Sequence, residues 1–474
     1  MFVARQAELE SLASTYETAG FQMSVVYGRR RVGKTCLLRK FAEDKPSSIF
    51  FTALESTSSD NLTALSRAIF QASHPEVDGN DSFGAEASPR YPSFEDALRS
   101  VFAQARHHRL LFVIDEYPYL AGSYPGISSL LQSLIDEHKG ESQLHLILCG
   151  SSMSFMEHQV LGHKSPLYGR RTAQLKVAPF DYLDAAKMLP SARPARAVEL
   201  YAIAGGVPLY LEQLDSTRST EWNIANRALP TGTLLSNEPL SYLLQEVRSP
   251  ATYNAVVGAI AGGCVRPAEI ADAVHIDRAR VDTYLKNLME LLIVERVTPA
   301  TDSNRKKVRY RIADNLFRFW YTFMPKYGSL VDAGRSDAVA HRMMGQEFPT
   351  FVGPAYEDIC RQWITRQVSR AAIDILPREI GSWWGTNPQS RAQEEVDIVA
   401  PGIDGDVLLG ECKWRNEAID VGVLDKLVER SELFDATEKQ LYLFAKAGFT
   451  DACQAKAGRM GNVRLVGLEE MFEG

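Results

Sequence analysis

Along this chain apolar residues take two alternating arrangements. Short, mostly apolar runs, such as Val25-Val-Tyr27, Ile49–Leu54, Leu110–Ile114 and Leu144–Cys149, read as buried strands of a parallel sheet. Between them, apolar positions recur every three or four residues. Leu9, Leu12 and Tyr16 predict a helix over 5–19, and 127–138 predicts another. Strand and helix thus alternate as in an α/β doubly wound domain. Residues 71–93 are poor in aliphatic side chains and rich in turn formers, which predicts a surface loop or insertion.

The pattern changes further on. Residues 181–245 read as helical, broken by Ala204-Gly-Gly-Val-Pro208, and predict a lid whose turn either couples to bound phosphate or simply joins two helices. Helical runs at 251–261, 267–274 and 278–291 precede two short strands, near Ile293 and from Lys307 to Ile312. Three helices and a hairpin predict a winged helix, its third helix spanning Asp277 to Leu291. The aromatic run Leu316-Phe-Arg-Phe-Trp-Tyr-Thr-Phe predicts a packing helix between domains. In the last ~130 residues, strand-like Val407–Leu409, Gln440–Ala445 and Val463–Leu468 predict a further α/β unit.

The first strand is followed by Gly28-Arg29-Arg30-Arg31-Val32-Gly33-Lys34-Thr35-Cys36, which fits G-x-x-x-x-G-K-[ST] without departure. Glycines let the backbone curl so that successive N–H groups face one anion, and the positive end of the next helix adds to that field. ATP phosphates would sit there, with Lys34 reaching the β- and γ-phosphates and Thr35 holding Mg²⁺. Phe2 and Arg5 are placed to touch the base. The third apolar run ends in Asp115-Glu116: Asp115 is the expected metal-side acid and Glu116 the general base. Ser151 or Ser152, ending the next run, would sense the γ-phosphate or cap a helix. Arg170 and Arg171 would neutralise transition-state charge, in cis or from a neighbouring subunit, or form a salt bridge within the domain.

Two more constellations carry chemistry. Arg278, Arg280 and Lys286 on the third helix, with Arg305, Lys306, Lys307, Arg309 and Arg311 in the wing, form a basic cluster able to hold nucleic-acid phosphates or to serve a protein contact. Near the C-terminus Asp397 is followed by Glu411-Cys412-Lys413. Period two puts Glu411 and Lys413 on one strand face. Asp397, Glu411 and the Cys412 carbonyl would bind a divalent metal, Mg²⁺ or Mn²⁺. Lys413 would steady or deprotonate the attacking water, and Lys426 would contact phosphate.

With 474 residues the chain exceeds one core and suggests about three domains. A net charge of −7 argues against a general polyanion binder without excluding a local basic patch. Six scattered cysteines without C-x-x-C spacing fit reduced thiols in the cytoplasm. No apolar stretch approaches a membrane span.

Tyr27-Gly-Arg-Arg-Arg-Val-Gly-Lys-Thr, Val113-Ile-Asp-Glu, Ser165-Pro-Leu-Tyr-Gly-Arg-Arg-Thr and Gly205-Gly-Val-Pro together resemble the archaeal-type ATPases, on the AAA+/STAND side of the P-loop proteins. The C-terminal half resembles the domain commonly fused to them, a relative of the PD-(D/E)xK restriction-endonuclease fold. The resemblance implies a P-loop ATPase core over 1–180, a helical lid over 181–248, a winged helix over 249–325 and a nuclease-like domain over 340–474. It implies ATP–Mg²⁺ at Gly33, Lys34, Thr35, Asp115 and Glu116, and a metal-dependent phosphodiesterase centre at Glu357, Asp397, Glu411 and Lys413. The leading expectation is an ATPase controlling a nuclease that acts on DNA. The alternatives are a nucleotide switch with protein partners and an inactive nuclease-like domain, or a winged-helix DNA-binding regulator. The oligomeric state stays open.

Overall fold

The computed structural model describes residues 2–74, 90–301, 307–388 and 390–473. The chain forms two compact units, Met1–Pro179 and Phe180–Gly474. Most of the 71–93 stretch, and Arg305 and Lys306, lie outside the described residues.

The first unit runs α1 (Gln6–Glu17), β1 (Gln22–Tyr27), α2 (Lys34–Glu43), β2 (Ser48–Thr52), α3 (Ser58–Ser73), α4 (Phe94–Gln104), β3 (Leu110–Asp115), α5 (Tyr117–Ser123), α6 (Ile127–His138), β4 (Leu144–Gly150) and β5 (Ala173–Lys176). The strands form one parallel sheet in the order β2-β3-β4-β1-β5. Because side chains alternate along a strand, β1 supplies both layers. Met23, Val25 and Tyr27 join the core under α3, α4 and α6, while Val26 packs with Leu37, Leu38 and Phe41 of α2. Each such buried aliphatic side chain contributes about 1.5–3 kcal/mol. β4 lies between β1 and β3, so whatever joins their ends must cross the end of β4.

One buried polar pair sits inside this sheet. Ser24 Oγ and His145 Nε2 are 2.8 Å apart, and the imidazole lies among Tyr16, Phe41 and the Arg109 cation. Burial first, and Arg109 second, push the His145 pKa down to about 3.

The second unit opens with helices that include α7 (Pro194–Ala204) and α8 (Leu234–Glu246). Next come α9 (Pro250–Ala261), α10 (Pro267–Val274), α11 (Arg278–Glu290), β6 (Val294–Val297) and β7 (Arg309–Ile312). The last two pair antiparallel, and the group closes on its own core of Val256, Val257, Ile270, Val281, Leu285 and Leu288. The aromatic run falls on α12 (Asn315–Asp332). Phe317 and Tyr321 enter that core, while Phe319 and Phe323 meet Phe351 across the chain.

After α13 (Ser336–Gly345) and α14 (Glu347–Ser369) come β8 (Gly381–Thr386), β9 (Gln393–Pro401), β10 (Val407–Lys413), α15 (Val421–Ser431), β11 (Lys439–Ala445), α16 (Asp451–Met460) and β12 (Val463–Gly467). They form a mixed sheet ordered β12-β11-β10-β9-β8. β8, β9 and β10 make an antiparallel meander, and β10, β11 and β12 run parallel.

Gly205-Gly206 makes a close backbone approach. The Phe180 N–H donates to the Gly206 carbonyl at 2.7 Å, and a Cβ on Gly206 would lie 1.7 Å from the Phe180 carbonyl oxygen. Only glycine fits there.

The neutral His145 gives an acid-stability prediction. Its folded pKa is depressed, so the unfolded chain binds a proton near pH 6.5 that the folded chain refuses. Stability is therefore fully present above pH 6.5 and falls between pH 6.5 and 3. The expected loss from this group between pH 7 and pH 4.5 is about 2–3 kcal/mol. His145→Gln, which keeps a partner for Ser24, should lose correspondingly less in urea unfolding at the two pH values. Equal losses in both proteins would refute this account.

Candidate functional site

The loop between β1 and α2 is shaped by close approaches. Gly28 passes so near the next strand segment that a Cβ would sit 2.3 Å from the Val177 carbonyl oxygen. Gly33 (φ 87°) and Arg31 (φ 72°) take left-handed backbone, which curls the loop before α2 begins. The Lys34 ammonium is buried and donates to the Gly28 and Arg29 carbonyls at 2.9 Å each. Burial first lowers its pKa; Glu116 and Asp115 oppose that shift. Arg5, expected at the base, instead donates to the Val32 carbonyl (3.0 Å) and the Ala178 carbonyl (2.7 Å) and pairs with Glu8 (2.8 Å). It fastens the loop from behind.

Thr35 Oγ1 donates to Asp115 Oδ2 at 2.8 Å across the end of β4. Glu116 follows with positive φ (51°), a conformation that costs a non-glycine residue about 1 kcal/mol or more. That turn points the carboxylate back over the sheet edge, where Ser151 Oγ donates to Glu116 Oε2 at 2.9 Å. Of the two serines considered, Ser151 is the one at the acid. Arg30 donates to the Tyr119 hydroxyl at 3.2 Å, and Cys36 is exposed on the first turn of α2. The residues fit a Mg²⁺-bound nucleoside triphosphate: a held cation, a curled run of backbone N–H groups, and a hydroxyl joined to a carboxylate.

Arg170 forms a two-point ion pair with Asp136 (3.1 and 2.5 Å) and donates to the Pro166 carbonyl. Arg171 donates to the Leu161 carbonyl at 3.4 Å. Both contacts are internal to the unit.

On α11, Arg278, Arg280 and Lys286 are exposed; Arg280 meets the Tyr284 hydroxyl (3.4 Å) and Lys286 lies 3.9 Å from Glu290. The arginines of the β6–β7 hairpin are engaged differently. Arg309 stacks over Trp384 at 4.3 Å and lies 3.7 Å from Glu395, while Arg311 pairs with Glu295 (2.5 Å) and Asp358 (2.7 Å). Lys307, beside them, is half-buried.

A second cluster forms where the β9–β10 ladder stops. Pairing runs from Val407↔Pro401 to Gly410↔Ile398 and ends there. Beyond that point the Asp397 carboxylate takes the Cys412 N–H at 2.8 Å, standing in for the missing ladder partner. Glu411 Oε1 accepts from Lys413 Nζ at 2.6 Å, and Lys413 lies 4.0 Å from Asp397. Burial alone would lower the Lys413 pKa, but Glu411 and Asp397 outweigh it and hold the group above its ordinary value. Glu357 on α14 belongs to the same electrostatic neighbourhood: burial, then Asp397, raises its pKa. Asp397 is raised by burial and by Glu411.

Among the described residues no three carboxylate, imidazole or thiol groups converge as a metal cage. Asp397, Glu411 and the Cys412 carbonyl remain a donor set of the oxygen type that Mg²⁺ or Mn²⁺ takes. Sequence reasoning missed Arg430 on α15, which bridges Glu411 (2.9 Å) and Glu394 (2.9 Å). The available signal was helical spacing: Arg430 lies one turn beyond Lys426, which is exposed. Arg361 was missed too; it donates to the Asp397 carbonyl at 2.7 Å and pairs with Asp358.

Residues 2–214 match an ATPase domain found predominantly in Archaea, and residues 320–425 match a domain of archaeal and bacterial proteins of unknown function. An uncharacterised protein of Methanocaldococcus jannaschii is 29% identical over 419 residues, 88% of each chain. An uncharacterised ATP-binding protein of the same organism is 49% identical over 45 residues, 10% of this chain and 76% of its own. The Walker-type ATPase of Pyrococcus abyssi has a similar fold, with TM-score 0.51 and 21% identity over 68% of this chain and 96% of its own. No helix among the described residues is long and apolar enough to cross a membrane.

Cys36 gives a direct test of the loop. It is exposed, whereas Cys149, Cys360, Cys412 and Cys453 are buried and Cys264 is half-buried. MgATP should slow iodoacetamide labelling of Cys36 several-fold, leave Cys264 unchanged, and lose the protection in Lys34→Ala. Labelling of Cys36 that is indifferent to MgATP in the wild type would remove the nucleotide from this loop.

Proposed function

We propose that this chain hydrolyses ATP at the Lys34–Thr35–Asp115–Glu116 site, and that its nucleotide state controls a metal-dependent phosphodiesterase centre, acting on DNA, at Asp397, Glu411 and Lys413. The observation that carries the second half is Asp397 and Glu411 meeting where the β9–β10 ladder ends, with the Lys413 ammonium on Glu411. The order helix, antiparallel meander, helix, parallel strand supports a restriction-endonuclease-like reading of residues 340–474. The core of α9, α10, α11 and the β6–β7 hairpin supports a winged-helix reading of 249–325.

At the first site Lys34 and the loop N–H groups bind the triphosphate, while Thr35 and Asp115 would hold Mg²⁺. A Mg²⁺ held there would neutralise charge developing between the phosphates. Glu116, its carboxylate steadied by Ser151, orients the attacking water and takes its proton. At the second site Asp397, Glu411 and the Cys412 carbonyl would hold a divalent ion. Such an ion would supply an acidified water and a counter-charge for the phosphodiester. Lys413, kept as an ammonium by its carboxylates, steadies the water rather than deprotonating it.

Coupling has a visible support in the second unit. Residues just past Pro179 are fastened to α14, the helix carrying Glu357. The Tyr182 N–H donates to Gln362 at 2.9 Å, and Arg366 grips both Asp181 oxygens at 2.5 and 2.7 Å. A displacement of this segment would pull on α14. One observation favours the alternative of a protein-facing switch. Arg309 and Arg311, counted toward phosphate binding, are engaged by Trp384, Glu395, Glu295 and Asp358, leaving the exposed α11 cations as the phosphate-facing group among the described residues.

Plasmid and single-strand cleavage with Mg²⁺ or Mn²⁺, with and without ATP, tests the proposal. Lys34→Ala and Glu116→Gln should each reduce ATP turnover at least ~100-fold. Asp397→Asn and Glu411→Gln should abolish cleavage while ATP turnover persists. Arg366→Ala should keep both activities and lose the response of cleavage to ATP. ATP turnover with no cleavage of any substrate above the Glu411→Gln level would transfer the assignment to the switch.

A further inference from the structure

We propose that Arg430 is a positioning residue that competes with the divalent ion for Glu411 and thereby sets the metal affinity of the C-terminal centre. This rests on reading that centre as a metal site. The argument begins with the lone pairs of one carboxylate. Glu411 Oε1 accepts from Lys413 at 2.6 Å and Oε2 from Arg430 at 2.9 Å, so both oxygens are already engaged by cations. The side chains of Glu411 and Arg430 are 9% and 12% exposed, so water screens this contact weakly. A divalent ion at Glu411 therefore meets a cation on each oxygen and must compete with both.

The two are not equivalent. Lys413 also lies 4.0 Å from Asp397, inside the pair of carboxylates that would share the ion. Arg430 approaches from α15 on the far oxygen, and its Nε is already held by Glu394 at 2.9 Å. When Glu411 turns toward a metal, Arg430 loses one hydrogen bond but keeps an anionic partner, so no guanidinium is stranded in a poorly solvated place. Glu394 is thus the resting partner that makes the exchange reversible. Removing Arg430 leaves Glu411 less neutralised and raises its attraction for a cation. Removing the charge of Glu394 leaves Arg430 with Glu411 alone and strengthens their pairing.

These opposite signs separate tuning from scaffolding, because a purely structural role predicts weaker binding from both changes. Mn²⁺ binding to the full chain without nucleotide, followed by the loss of the free-ion electron paramagnetic resonance signal, reads the affinity directly. The component attributable to this centre is the part lost in Asp397→Asn. Arg430→Gln should tighten that component about ten-fold, Arg430→Lys should return it toward the wild-type value, and Glu394→Gln should weaken it several-fold. Thermal midpoints of the variants show that each compared protein is folded. Unchanged or weaker Mn²⁺ binding in folded Arg430→Gln overturns the proposal while the metal reading stands. Wild-type binding no greater than that of Asp397→Asn overturns the metal reading and this proposal with it.

Discussion

The nucleotide site depends on one hydrogen bond between residues far apart in sequence, from Thr35 Oγ1 to Asp115 Oδ2. Strand order dictates why it must exist. With β4 inserted between β1 and β3, the phosphate loop and the acidic strand end are not neighbours, and their side chains have to reach across the tip of β4. The same insertion places Ser151 under Glu116. A parallel sheet leaves its carboxyl edge as the place where backbone curls away and polar groups can face a ligand. The buried Lys34 ammonium fits that setting, since a desolvated cation becomes more favourable when an anion arrives beside it.

The C-terminal sheet solves a related problem with a different device. Its carboxylates meet where the antiparallel β9–β10 ladder ends, beside the last residues of β10, which stay paired in parallel with β11. Ending a ladder inside a protein would orphan the Cys412 N–H, and Asp397 satisfies it with its side chain. That hydrogen bond orients Asp397 beside Glu411. Burial and then the Glu411 charge raise the proton affinity of Asp397, while Lys413 and Arg430 pair with Glu411. The cluster therefore rests as a neutralised network.

What the sequence made legible follows from the range of the interactions involved. Mostly apolar runs predict β1 to β4 because strands packed in a sheet core leave little room for unpaired polar side chains, and the buried polar residues of β1 and β4, Ser24 and His145, pair with each other. The phosphate loop is legible because glycine spacing and Lys34-Thr35 are local requirements of backbone shape. Asp397 with Glu411 and Lys413 could be proposed because strand period fixes which side chains share a face. By contrast, Arg430 with Glu394, Ser151 with Glu116, and Arg5 with the Val32 carbonyl join residues whose proximity only the folded topology creates. The wing illustrates the limit from the other side: Arg309 and Arg311 look like free cations in sequence, yet Trp384, Glu395 and Asp358, distant along the chain, engage them.

The placement of these ion pairs bears on how two phosphate-directed centres can share one chain. On the reading proposed above, a C-terminal centre whose Glu411 is already paired with Lys413 and Arg430 would admit a metal ion against a counterweight, so that shifts in the surrounding helices would change its occupancy. α14 is such a helix, since it carries Glu357 and its Arg361 holds the Asp397 backbone, while its Gln362 and Arg366 grip the segment that follows Pro179. A displacement of Asp181 and Tyr182 would therefore be passed to Asp397 along a single helix. In that proposal a metal ion competing with an arginine would exchange one charge pairing for another, and a near-balanced exchange is what a nucleotide-dependent shift could tip.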